Sequence, residues 1–292
     1  MSEKSRERGG KLVSVRLQRF FVSSPYVRNV LRSGLRTFYS MFRVDPAAEY
    51  VKVTRRRYRE IENETVARVL DDETVLSFHV GSPHKVPNLN KVKTRIFSTV
   101  DFIKRQLASG EMQRATFLDV GGSSSLFYDL MEIETSRGHI ANVLEEHLKE
   151  AKEKGWGWIK MEDDRIELED DRFDYCLSFE CLEHSHNPLL LLRELLRVSR
   201  KGVFLSIPWR NQTGVVKKQP GAGPAVQHVF ELSPGDLERL VSHAGGKVVR
   251  QEPLSTEAKM FSLNPAVALF RKRAGYGSPN VLLAHIKRLS HD

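Results

Sequence analysis

Apolar positions along the chain change their spacing several times, and each change marks an element. In LNKVKTRIFSTVDFIKRQL, the residues Leu89, Val92, Ile96, Val100, Ile103 and Leu107 share one face of a helix. ATFLDV then reads as a short buried strand, SLFYDLMEIE as a helix, and HIANVLEEH as a strand passing into a helix. WGWIKME and FDYCLSF are further strands. Asn187 and Pro188 supply a cap and first position for the helix LLLLRELLRVSR, and GVFLSIPW is the strand after it. Ser233 and Asp236 make a capping box around Pro234 for GDLERLVSHA, which Gly245 and Gly246 stop. KVVRQE and PAVALFRKR are expected to be the two final strands. Strands alternating with helices predict a parallel sheet covered on both faces.

The first 88 residues have another character. Residues 1–12 read as a charged tail, and PYVRNVLRSGLRTFYSMFR (25–43) is amphipathic, with Arg28, Arg32 and Arg36 on one face. It suits either a membrane surface or a helix packed on the domain. The expected division is a basic, partly helical N-terminal extension (1–88), an α/β domain (89–275) and a C-terminal tail (276–292).

Charge sharpens this division. The chain of 292 residues carries a net +9, and residues 1–60 hold fifteen Lys or Arg against five acids. The stretch Glu162–Asp171 is strongly acidic, so the positive charge belongs mainly to the extension. Such a region attracts the phosphates of RNA or of an anionic membrane, or is simply a solvated surface. No apolar run is long enough to span a bilayer, and MSEKSRERGGK lacks the apolar core of a secretory signal. Two cysteines, Cys176 and Cys181, make no disulfide scaffold. They fit a cytoplasmic protein, free or peripheral at the membrane.

The candidate chemistry begins where the strand ATFLDV runs into GGSSS. In an open α/β sheet, ligands sit beyond the carboxyl ends of strands. Small residues there let a ligand approach the backbone, and an Asp at the strand end accepts hydrogen bonds. LDVGGSSS resembles the first motif of the class I S-adenosylmethionine-dependent methyltransferases, D/E-x-G-x-G-x-G. Asp119 and Gly121 match, while Ser123 and Ser125 replace the second and third glycines. FDYCLSFECLEHSHNPLLLLRELLRVSRKGVFLSIP is similar to that family's unit from fourth to fifth strand, and HVFELSPGDLERLVSHAGGKVV to its next segment. These motifs occur in order across about residues 90–273.

The resemblance implies an α/β fold: a Rossmann-like, doubly wound, seven-stranded sheet with an antiparallel last strand. It also implies S-adenosyl-L-methionine as cofactor and methyl transfer by SN2 displacement. The implied cofactor residues are Asp119, Gly121, Gly122, Ser123 and Phe179, with acids after the second and third strands. Counting back from Ala151 puts Asn142 where the family grips the ribose, and sliding three residues gives Glu145, the residue preferred here. The acid facing adenine maps to Glu162 or Asp163, with Asp163 preferred. Glu183 and His184 match the family's E-H pair and are the catalytic candidates. His184, His186 and His228 are the histidines available to take a proton.

The expected acceptor is a small or lipid-like molecule. An RNA acceptor tethered by the extension, and a methyltransferase-like binding protein without turnover, are the alternatives. Amino-group enzymes carry N/D-P-P-F/Y after the fourth strand, where this chain reads SFECLEH. Cys181 lacks the context of a cytosine-C5 nucleophile, and no Cys/His cluster has zinc spacing, so no metal is expected.

Overall fold

The structure, a computed structural model, describes residues 89–210, 214–215, 228–254 and 280–289. The N-terminal extension and the expected strand PAVALFRKR lie outside these residues.

A seven-stranded sheet forms the frame. Its strands are β1 (Phe117–Val120), β2 (Gly138–Asn142), β3 (Gly157–Lys160), β4 (Phe173–Phe179), β5 (Ser199–Pro208), β8 (Gly246–Leu254) and β9 (Val281–Arg288). They lie in the order β3-β2-β1-β4-β5-β9-β8. The first five are parallel, and β9 runs antiparallel between β5 and β8. A two-stranded hairpin, β6 (Gly214–Val215) with β7 (Phe230–Glu231), stands apart from the sheet.

The antiparallel strand is therefore Val281–Arg288, inside the stretch expected to be a tail. Residues 281–286 are all buried, so VLLAHI reads as a continuous apolar run, as a strand covered on both faces does. The short run ahead of the two terminal basic residues hides this pattern in the sequence.

Helices cover both faces. Alternate residues of β1 separate into two cores: Phe117 packs with helix α1 (Leu89–Gln106) and helix α3 (Leu126–Met131). Leu118 and Val120 pack with α5 (Pro188–Val198) and α6 (Pro234–His243). Short helices α2 (Ser109–Arg114) and α4 (Lys149–Glu153) complete the layers. On α5, Leu191, Leu192, Leu195 and Leu196 are buried, each contributing about 1.5–3 kcal/mol of apolar burial.

The caps follow the sequence. The Asn187 side chain accepts from the Leu190 N–H ahead of α5, and Ser233 Oγ accepts from the Asp236 N–H ahead of α6. The acidic stretch has a structural partner in Arg197. This side chain donates to the carbonyls of Ile166 and Leu168 and pairs with Glu194 and Asp170. Among the described residues, no helix is long and apolar enough to cross a membrane.

Candidate active site

The chain moves outward through β1, β2 and β3, then returns to the other side of β1 to lay down β4. This reversal leaves a crevice at the carboxyl ends of β1 and β4, where neither crossover covers the sheet. Three strand tips meet there.

The first tip is the β1 loop. Gly121 sits at φ +85°, in left-handed backbone space open to glycine, and its N–H donates to the Ala141 carbonyl at 2.8 Å. A Cβ on Gly121 would lie 2.4 Å from the Cys181 sulfur, so the β1 loop and the segment after β4 touch backbone to side chain. A Cβ on Gly122 would lie 2.4 Å from Asp119 Oδ2, so the carboxylate is folded against the loop. Asp119 is 3% exposed, and burial lifts its pKa from 3.8 to about 7.

The second tip is β2. Asn142 is buried at its last position and clasps the loop: Nδ2 donates to the Gly122 carbonyl at 2.9 Å, and Oδ1 accepts from Leu144 N–H at 2.9 Å. Glu145, preferred from sequence, instead opens a 3-10 turn, is exposed and pairs with Lys152. The strand ends at Asn142, and the next three residues carry Glu145 away from the tip. Asp163 is likewise exposed, at φ 51°, in the turn closed by the Glu162–Arg165 bridge. Its neighbour Asp164 is the buried member of the cluster and accepts from the Asn187 N–H at 2.8 Å.

The serines divide in role. Ser124 Oγ accepts from Leu126 N–H. Ser125 is fully buried, and its Oγ lies 2.9 Å from Asp129 Oδ2 and 3.2 Å from Glu150 Oε1. Ser123 remains half-buried in the loop. Phe179 is also half-buried and packs on Phe127 with ring centroids 4.5 Å apart.

The third tip follows β4. Glu180, at φ 50°, is held by Arg95 of α1 at 2.9 Å and by Ser206 Oγ at 3.1 Å. A non-glycine residue in this conformation persists only where its surroundings fix it. Cys181 comes next, its thiol pushed up to about 12, first by burial, which favours the neutral thiol. Glu183 is 3% exposed, and neither carboxylate oxygen has a hydrogen-bond partner. Burial and the charge of Glu180 raise its pKa well above the usual range. Beside it, the His184 and His228 rings meet edge-to-face with centroids 4.9 Å apart. His228 Nδ1 is 2.8 Å from Glu231 Oε1, and Arg210 Nη2 donates to that same oxygen at 2.9 Å.

The structure thus brings Asp119, Gly121, Gly122, Ser123 and Phe179 to the strand tips, with Glu183 and His184 beyond β4, and leaves Glu145 and Asp163 at the surface. Glu231 joins the site without having been singled out by the sequence, which already puts Glu180 at the mouth of the site after the fourth strand and has His228 only as one of three histidines. The signal for Glu180 is its place directly after the strand FDYCLSF; for Glu231, it is the pattern His-x-x-Glu before a helix cap.

Residues 118–207 match the model of a methyltransferase domain, and no curated protein matches the chain. Among solved structures, the chain is similar to the 1,6-didemethyltoxoflavin-N1-methyltransferase of Burkholderia thailandensis, bound to 1,6-didemethyltoxoflavin and S-adenosylhomocysteine. Identity is 15%, the TM-score is 0.51, and the match covers 77% of this chain and 89% of that one. An S-adenosylmethionine-dependent methyltransferase from Mesorhizobium loti matches at 15% identity and a TM-score of 0.48, over 64% of this chain and 96% of that one. The donor set suits S-adenosylmethionine: a buried carboxylate for an ammonium, a glycine loop for close approach, and an amide at the second strand tip for a hydroxyl. With the domain match over 118–207 and the sheet order β3-β2-β1-β4-β5-β9-β8, the chain carries a methyltransferase domain on the Rossmann-like fold of the S-adenosylmethionine-dependent methyltransferases.

Proposed function

We propose that the enzyme methylates a small or lipid-like acceptor held beside Glu183 and His184. The supporting observation is a hollow beyond β4 and β5 whose walls are Leu182, Ile207, Pro208, Phe230 and Leu232, with Glu183 among them. The hollow measures about 10 Å³ and its accessible wall is wholly apolar, which suits an apolar edge of the acceptor resting beside this turn.

When bound, S-adenosylmethionine supplies a methyl group already activated by its sulfonium. The protein's work is alignment. Asp119 pairs with the cofactor's ammonium, and Gly121 and Gly122 admit its chain to the loop. Ser123 and Phe179 line the approach. Asn142, in place of Glu145, meets the ribose side while keeping the loop closed. Asp163 reaches adenine only from the surface turn. Glu183 and His184 meet the acceptor heteroatom.

Asn142→Ala leaves the Gly122 carbonyl and the Leu144 N–H without partners, a loss of about 1–3 kcal/mol. Cofactor affinity by calorimetry should fall roughly 10-fold or more on this scale, while Glu145→Ala stays within about two-fold of wild type. The reverse ranking would return the ribose contact to Glu145. For the acceptor, protein incubated with methyl-labelled donor and fractionated extract should place label in the small-molecule or organic-soluble fraction. Label entering RNA would overturn the small-acceptor reading and assign the basic extension the role of a phosphate tether.

A further inference from the structure

We propose that Glu183, His184 and His228 form a binding site for one divalent transition-metal ion of zinc-like chemistry. One ligand atom from each residue lies within 4.8 Å of the other two. Tetrahedral ligation at about 2.1 Å spaces such atoms roughly 3.4 Å apart, so modest side-chain rotations close the triad.

Glu183 gives the first reason. Its carboxylate is buried at 3% exposure with both oxygens unpartnered. A buried carboxylate must be paired, protonated or bound to a metal. Arg95, a cation whose charge reaches Glu183, is paired with Glu180 instead. The two imidazoles stand where a partner is missing.

The shell behind the histidines gives the second. Glu231 Oε1 holds His228 Nδ1 at 2.8 Å, which leaves Nε2 as the ligand nitrogen, and Arg210 anchors Glu231 in turn. A carboxylate behind a histidine is the usual device for fixing a metal-binding ring. The backbone is tied as well: Val229 N–H donates to the Glu183 carbonyl at 2.6 Å, which locks the His228 segment to the Glu183–His184 turn.

Two imidazoles and one carboxylate favour zinc, cobalt or nickel over magnesium or calcium, which prefer all-oxygen shells. Three protein ligands leave at least one position of a tetrahedral ion open. In one respect the site rests on the proposed function and deepens it: the open position would take the acceptor heteroatom and lower its pKa for methylation. Metal binding itself stands without that function.

The test uses the full chain without a histidine tag, dialysed against chelator, with no methyl donor present. Zinc titrated by calorimetry should bind at one equivalent with a Kd of micromolar or below, and magnesium should not compete. Cobalt substitution should give a visible absorption band. Glu183→Gln and His228→Ala should each weaken zinc binding by about 100-fold or more, and Glu231→Gln by about 10-fold with a shifted cobalt band. Circular dichroism checks that each variant is folded, and Glu231→Gln, an isosteric change on β7 outside the buried turn itself, keeps the test valid if the others are not. Failure of the wild type to bind, or binding unchanged in the variants, would overturn the site and leave a proton as the partner of Glu183. Methyl transfer that persists with the metal removed would leave the function standing and limit the ion to structure.

Discussion

Gly121→Val should be the most damaging single substitution in the cofactor loop. The new side chain must adopt φ +85°, which costs a branched residue about 1–2 kcal/mol or more. Its Cβ would also stand 2.4 Å from the Cys181 sulfur, a contact that forces the loop and the segment after β4 apart. Overpacking of this kind adds about 1–3 kcal/mol. A combined loss of roughly 3–4 kcal/mol lowers the melting temperature by about 6–16 °C in a domain of this size. Cofactor binding should become undetectable, because the loop that moves is the one the ligand approaches. Combining Gly121→Ala with Cys181→Ala separates the two causes. It removes the sulfur contact and keeps the strained φ, so it should be more stable than Gly121→Ala alone. No recovery would mean that the strand tips do not meet as described.

Asp119 should make both stability and cofactor binding depend on pH. Its folded pKa of about 7 lies above the ordinary 3.8. The contribution of the protonated carboxyl to stability is complete below about pH 4 and is lost as pH rises to 7 and beyond. Each pH step between those two values is worth about 1.36 kcal/mol, so the full loss is about 4 kcal/mol in the cofactor-free protein. Thermal melts of the wild type should therefore fall between pH 4 and 8, and those of Asp119→Asn should fall less across that window. On the proposed pairing of Asp119 with the cofactor's ammonium, the ionised form is favoured in the complex, so binding near pH 6 should release a proton and affinity should rise toward pH 8. Calorimetry in two buffers of different ionisation enthalpy reads that proton directly. Asp119→Ala should weaken cofactor binding by about 1–3 kcal/mol and abolish the proton release. Wild-type affinity in that variant would remove Asp119 from the cofactor site.

The pattern of apolar positions predicted α1, β1 to β5 and the two capped helices, because each of those elements buries one face or both and must say so in its sequence. Asn187 with Pro188, and Ser233 with Asp236, act within four residues, so local chemistry alone sets them. The strand β9 was harder. Its buried run of six residues is short, follows a long insertion, and pairs with β5 from roughly eighty residues away, so no local signal announces its partner.

The candidate site divides the same way. Asp119 and Gly121 were legible because the β1 loop needs small residues and a strand-end acid in a contiguous stretch. Asn142 and Glu145 stand three residues apart, and only the end of β2 separates their surroundings: Asn142, at the last strand position, bonds the loop, and Glu145, in the turn after it, pairs with Lys152 at the surface. Glu180 gained meaning from Arg95, eighty-five positions earlier in the chain.

By itself, then, the chain determined most of the strands and helices and the small-residue loop after β1, since these follow from periodicity, capping and backbone freedom along neighbouring residues, while the resemblance of its motifs implied the Rossmann-like winding. Tertiary structure alone decided which acids face the crevice, and it brought His228 from the hairpin to Glu183 and His184. The reason is distance along the chain: His228 lies forty-four positions after His184, and only folding sets its ring against that of His184 beside the buried Glu183.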